Sequence, residues 1–478
     1  MIRCRHRLPD KVRRDESRPY LLPVPTGWPS FDRIALTMLR GPRSRDRFFN
    51  WKDWRGSSSQ VPEKFRALRS RRTILRAFTA SAVAMPAILT AATGAAPADA
   101  DPSSATRCFT DPVLELVRLL RNAAEMEHAA LLQFSYSAFS LKTGYESVSG
   151  YNSKDAMSLL VIAIDRMKRL GVFNRMLGAI GAPPHLVPPH FPFGSDGYPF
   201  SLDLEPLSRE ALARFIWREA PHALFDDRTG GSSDAVFVAG IRTMLAVPAR
   251  GAGIYPAIVA AAGEARAAGA DLPDLTRWTD VLQLLEQRGR DDRFRFLKGL
   301  FLGSDPAFAE HGDVWRLPVT DPTYPSYEIP SNPTTDLIRS SLGSDSAVLA
   351  LAHLGNLQYA TTLSLLDLFF RHHLPAYRSL AVAHMTGPVR SLGRYLPRLG
   401  MGLPFEAIDM ADSSALDAKH RLRFVLALLH EGQAAAEALG PRLPPDYPLT
   451  VNRDTIAKLG EVGMVSDSGS VTAPAAAQ

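Results

Sequence analysis

Cysteine is nearly missing from this chain, with only Cys4 and Cys108 among 478 residues. Cys4 falls in a leader-like stretch, so beyond residue 100 an intramolecular disulfide framework and a cysteine-built zinc site are both excluded. Strand-like alternation of useful length is lacking, and so is any internal repeat. There is no Gly-x-Ser-x-Gly turn and no phosphate loop, and Gly251-Ala252-Gly253 lacks the third glycine and the preceding strand of a dinucleotide fingerprint. Concentrated positive charge is also wanting. Residues 1–100 hold 20 Lys/Arg against 8 Asp/Glu, and the remainder holds 35 against 41, so the formal +6 belongs to the first hundred residues. A groove for nucleic acid is not expected.

What is present suits a globular protein. An apolar fraction of 46% with 22% charged residues allows a sizeable core. The length bounds two or three domains, although helical chains of this size also fold as one unit with appendages.

Residues 60–100 read as an export signal. Ser70-Arg71-Arg72-Thr73-Ile74-Leu75-Arg76 precedes the uncharged stretch Ala77–Ala98, and Ala98-Asp99-Ala100 is a small-x-small site with cleavage expected after Ala100. The arginine pair resembles the twin-arginine signature, with Ile74 in place of Phe and Arg76 in place of Lys. The alternative is an N-terminal anchor, against which the Ala/Thr-rich composition and Pro86 argue. The expectation is an exported protein, periplasmic or extracellular, with no membrane span in the mature chain. Residues 1–59, rich in Arg, Pro and Trp without period, read as a disordered upstream extension from an early translation start.

The mature chain reads mostly as helix, broken by loops. Leu114, Val117, Leu120, Ala124 and Leu131 mark one helical face, with Asp111 as N-cap and Pro112 at the first position. Leu159, Ile162, Met167, Leu170 and Phe173 mark a second helix, ended by Gly178 and Gly181. Ala182–Pro206 is irregular. Further helices are expected from Arg209 to Glu219 and over Ala235–Leu245, Tyr255–Ala268 and Thr276–Phe301. An irregular connection over 303–333 follows, then Asp345–His373, Ala376–Leu399 and Ser413–Leu439, with residues 441–478 a mostly disordered tail. This places a bundle over 101–302 and additional C-terminal helices over 334–440. The nearly all-apolar Asp345–His373 is expected to be buried, and His353 on it to be a satisfied core residue.

Several segments in order resemble the ferritin-like domain of iminophenyl-pyruvate dimer synthases, enzymes of violacein- and rebeccamycin-type bisindole pathways. They include Glu125–Leu141, Arg166–Pro183, Ser201–Pro221, Gly253–Ala262, Val281–Gly289, Asn356–Phe370 and Met385–Pro397, together covering roughly residues 110–410. The resemblance implies an all-α fold: a ferritin-like four-helix bundle with additional C-terminal helices, holding a metal in active members.

Candidate ligands are few. Glu125 and His128 have the i, i+3 spacing that sets a carboxylate and an imidazole on one helix face. With 49 acids and 12 histidines, about one such spacing arises by chance, and the chain has three, so spacing decides nothing. By the resemblance Glu127 stands at the first-helix ligand position and Glu286 at a fourth-helix one. Where the family's second helix reads Glu-x-x-His, this chain has Arg166-Met167-Lys168-Arg169. Gly253 stands where the third helix has an acid, and a later His is replaced near Asp292-Arg293. Arginine has no lone pair for a cation, so a di-metal centre is not expected. Instead, Arg166 and Arg169 are expected to neutralise Glu127 and Glu286; the competing expectation is that both arginines face water. His185 and His190 read as loop histidines.

Two functions follow as expectations. One is a ligand- or partner-binding relative that takes a small aromatic or amphipathic molecule in the former metal site. The other is a metal- or haem-dependent oxidoreductase acting on an aromatic small molecule, with Glu125, Glu127, His128 and Glu286 as ligand candidates. A third, structural role as an envelope subunit stays open.

Overall fold

The structure is a computed structural model and describes residues 107–151, 157–194, 197–225, 231–250, 253–272, 275–287, 289–308, 311–344, 346–408 and 417–467. Arg71, Arg72 and Ala100, the rest of the leader, and residues 468–478 lie outside them. Regular structure among the described residues is helical, with two isolated β-bridges, Leu141–Ser326 and Phe193–Leu202. The fold class is all-α, as the sequence implies.

The long first helix, α1 (Pro112–Phe139), starts where its caps dictate. The Asp111 carboxylate accepts from the N–H groups of Val113 and Leu114 at 2.8 and 3.1 Å, and Pro112 occupies the first turn. A second long helix, α2 (Leu159–Ala179), is capped by the Ser158 hydroxyl, which accepts from Val161 N–H. Then come α3 (Arg209–Glu219), α4 (Ser233–Leu245), α5 (Ile254–Ala267), α6 (Leu275–Gln287) and α7 (Arg290–Phe301). The C-terminal helices are α8 (Thr335–Leu342), α9 (Ala347–His372), α10 (Pro375–His384), α11 (Arg390–Tyr395), α12 (Ala418–Leu439) and α13 (Val451–Asp467).

Helix α1 packs along α2 and α5, and α3 packs along α4 and α7. Three apolar clusters meet on α1. Leu116, Leu120 and Ala124 join α2, α5 and α6 in one; Phe134 and Ala138 join α2, α3, α4 and α7 in a second. Leu132, Tyr136 and Phe139 join α9, α11 and α12 in the third. From Glu127 to Phe139 only Leu131 escapes full burial, so α1 is enclosed on every side there. The first two clusters do not merge. Between them α1 and α2 carry the polar residues Glu127, Gln133, Asp165, Arg166 and Arg169.

Three expectations need correction. The stretch 276–301 is two helices, because Gly289 adopts a left-handed conformation (φ 63°) that ends α6 and starts α7. The tail is not mostly disordered: α13 occupies 451–467, and its Asn452, Thr455 and Leu459 are buried. His353 is exposed, one turn after the exposed Ala350, where α9 borders an open cavity.

Candidate functional site

The polar layer between the two clusters is a centre of ion pairs. Arg166, on α2, donates through one terminal nitrogen to both oxygens of Glu127, at 3.1 and 3.3 Å. Its other terminal nitrogen pairs with Glu219 Oε1. Glu127 comes from the middle of α1 and Glu219 from the last residue of α3, so one guanidinium ties three helices together. All three side chains are buried, Glu219 to 1% exposure.

Glu219 also accepts from Arg293 Nε of α7 at 2.8 Å, and Arg218 Nε lies 3.4 Å from it. Arg293 reaches on to Asp165 at 3.1 Å, and Arg169 donates to the same Asp165 oxygen at 3.2 Å. The neighbouring Arg218 donates to Gln133 Oε1 at 2.8 Å and lies over the Phe134 ring. On the far side of Glu127, the Tyr255 hydroxyl of α5 donates to Oε1 at 2.7 Å. Gly253, at φ 77°, is the N-cap that starts α5 two residues before Tyr255.

The electrostatics follow from that placement. Burial alone would raise the Glu219 carboxyl, but Arg166, Arg293 and Arg218 outweigh it and hold it well below the usual range. Burial likewise opposes ionisation of Asp165, and Arg169 and Arg293 reverse it. Arg166 is driven well above its ordinary value, since Glu219 and Glu127 more than offset its desolvation. Tyr255 is raised by burial and by Glu127, so it stays a neutral donor. Four guanidiniums, of Arg166, Arg169, Arg218 and Arg293, thus face three carboxylates, of Glu127, Asp165 and Glu219.

The sequence-designated residues are only partly brought together. Glu127 and Arg166 pair as the neutralisation argument expects. Arg169 does not reach Glu127; it bonds Asp165 one turn away. Glu286 has its side chain outside the described residues. Glu125 and His128 do not converge as a chelate, because each is taken up by another partner. Glu125 Oε1 meets His185 Nε2 at 2.5 Å, whose Nδ1 accepts from Arg121. The buried His128 meets the Tyr359 hydroxyl at 2.8 Å through Nε2. Burial pushes His128 down to about 4, so it is neutral at physiological pH.

Sequence reasoning missed Glu219, Arg218 and Arg293 as members of this centre. The signal for Glu219 was weak, since its Glu-x-x-His spacing to His222 is one of three in the chain. The replacement noted near Asp292-Arg293 was the clue to the other end.

This donor set does not suit a pair of divalent cations. Two of its carboxylates, Glu127 and Glu219, accept from the same guanidinium, which would have to leave before a metal entered. Among the described residues no group of three or more His, Cys, Asp or Glu side chains is placed to hold a metal. A cavity of about 640 Å3 lies in the C-terminal half, against α9, α12 and the loops at Phe191 and Phe405; none of the residues of the arginine centre lines it.

Residues 120–245 carry a ferritin-like domain. This segment contains Glu127, Arg166 and Glu219 but leaves out Tyr255 and Arg293. Among curated proteins, dichlorochromopyrrolate synthase of Lentzea aerocolonigenes is 33% identical over 135 residues, which cover 23% of this chain and 13% of that protein. The similarity therefore spans about an eighth of the relative's length. No solved structure matches the chain.

Proposed function

We propose that this chain is an exported, ligand-binding relative of the iminophenyl-pyruvate dimer synthases, in which a guanidinium has taken the place of the di-metal centre. The observation that carries this reading is Arg166 pairing with Glu127 and Glu219 at once. A metal-bridged bundle holds its helices through carboxylates around cations, and here the cation is a side chain. Such a centre has no redox chemistry and no open coordination position. It contributes specificity of packing instead.

The relative's name describes a synthase, and an oxidoreductase dependent on metal or haem is the competing reading. It would require Arg166 to vacate the centre, which would leave Glu127 and Glu219 to a new cation while Arg169, Arg218 and Arg293 repelled it. Binding without redox chemistry agrees better with the ion pairs. The cavity near Phe405, of a size that holds a small molecule, supports a ligand there rather than at the former metal positions. Export draws on the Arg71-Arg72 pair and the small-x-small site at Ala100.

Elemental analysis and the visible spectrum of the purified full chain test the reading, with Glu127→Ala alongside. The expected result is a colourless protein with only trace metal in both samples. Stoichiometric iron or manganese in the wild type that disappears in Glu127→Ala would refute it.

A further inference from the structure

We infer that the cavity near Phe405 binds an organic cation, an ammonium head on a compact apolar or aromatic body; this deepens the ligand-binding reading above and rests on it. The cavity, about 640 Å3, falls in the range that encloses small molecules. Its floor is apolar and buried at Leu204 and Phe405, with the buried Asn356 amide beside them. Exposed His353 and Glu431 stand at its rim.

Charge selects the head group. Glu406 and Glu431 line the cavity, and among the described residues no lysine or arginine does. Glu406 is held in place: both of its oxygens accept from the Thr335 N–H at 3.1 Å, and Oε2 also accepts from Asn356 Nδ2 at 3.0 Å. The Asn356 side-chain carbonyl in turn accepts from the Glu406 backbone N–H at 3.2 Å. These donors are all neutral. Glu406 is therefore a partly buried carboxylate, fixed in direction, whose charge no described side chain compensates.

A carboxylate fixed in this way by neutral donors gains most from a charged one, through a charge-assisted hydrogen bond. The Phe191 and Phe405 rings add apolar surface and a face that attracts cations. An anionic ligand would meet two carboxylates. A bare divalent ion would want more ligands than converge here, since no such group is found among the described residues. The cavity wall also holds Asn332 and Phe405 at positive φ, 47° and 54°, backbone conformations that non-glycine residues adopt only under local constraint.

Calorimetric titration of the full chain at pH 7 tests the inference with three matched probes: 2-phenylethylammonium, 2-phenylethanol and 3-phenylpropionate, plus manganese chloride alone. The ammonium is expected to bind at least about tenfold more tightly than the alcohol, with the propionate weakest. Glu406→Gln should weaken the ammonium by about tenfold. Glu431→Gln, at an exposed position where folding is not at risk, should weaken it by about threefold. Equal affinity for ammonium and alcohol, no ammonium binding, or unchanged affinity in both variants would overturn the inference. So would manganese binding that Glu406→Gln abolishes, which would make this a metal site. Metal content of the same sample reports separately on the arginine centre. A metal-free sample that ignores the ammonium removes this inference alone, and a metal-loaded sample that binds it removes only the earlier reading.

Discussion

The Tyr359 hydroxyl lies 2.8 Å from His128 Nε2, joining helix α9 to the enclosed part of α1. His128 also hydrogen-bonds the Val187 backbone, and Tyr359 sets its ring edge-on to Phe405, 5.4 Å between centroids. The imidazole is neutral and the phenol, pushed up by burial, keeps its proton. A chain of contacts therefore runs from the bundle to the floor of the cavity.

Tyr359→Phe leaves His128 Nε2 buried without a partner. The expected cost is about 1–3 kcal/mol, read from the midpoint of urea unfolding at unchanged slope. A change of under roughly 0.5 kcal/mol would mean that the Tyr359–His128 contact contributes nothing.

Arg166→Met strips Glu127 and Glu219 of their shared cation inside the bundle. It should destabilise by about 3–5 kcal/mol, and Arg166→Lys should recover little, because an ammonium cannot reach both carboxylates in a fork. Combining Arg166→Met with Glu127→Leu should cost less than Arg166→Met alone, since Glu219 keeps Arg293 and Arg218. A double variant worse than the single would show that the pair is not coupled in this way.

Stability should fall as the solution is acidified from about pH 6.5 to pH 4. His128 and His384 are both held down to about 4 by burial, the latter between Gln358 and Thr455. Each is neutral in the folded state and charged in the unfolded one across that window, so unfolding takes up protons there. Each histidine contributes roughly 3 kcal/mol over that range. Glu205 works the other way: burial raises it to about 7, so its contribution is present at low pH and lost as pH rises from 4.5. Burial also holds His372 below its usual value, which adds to the other two histidines, so against Glu205 a net uptake of at least about one proton remains near pH 5.3, a slope of about 1.4 kcal/mol per pH unit or more. Unfolding free energies measured at pH 5 and 6 check it; a level or opposite slope would contradict the assignment.

Gly402→Ala should be costly for a reason of space. A Cβ there would overlap the ring and hydroxyl of Tyr136, which is 1% exposed and donates to the Pro330 carbonyl at 2.5 Å. The expected loss is about 1–3 kcal/mol. Removing the ring with Tyr136→Leu in the same chain should make the alanine nearly neutral, and thermal unfolding of the four proteins in that cycle tests it.

The sequence made the local signals plain and the tertiary ones faint. Asp111-Pro112 announces the start of α1 because a cap is a matter of adjacent residues. The break at Gly289 stayed hidden, since one glycine within an apolar period reads as a small penalty rather than a reversal of φ. Helix α13 was missed because two of its buried anchors, Asn452 and Thr455, are polar and leave no apolar stripe. Arg166 could be singled out because it stood where a ligand was expected. Its second partner, Glu219, could not: only folding brings the end of α3 to it, 53 residues along the chain.

The ferritin-like segment 120–245 holds the core of the arginine centre, but α1 gives faces to three clusters, and two partners of the centre lie beyond that segment. Excised at those limits, it would lose the first turns of α1, the phenol that steadies Glu127 and a guanidinium that Glu219 needs. Such a piece could not be transplanted into another protein and keep its shape. The stretch that carries the ferritin-like domain leans here on helices outside it and is not a module that stands alone.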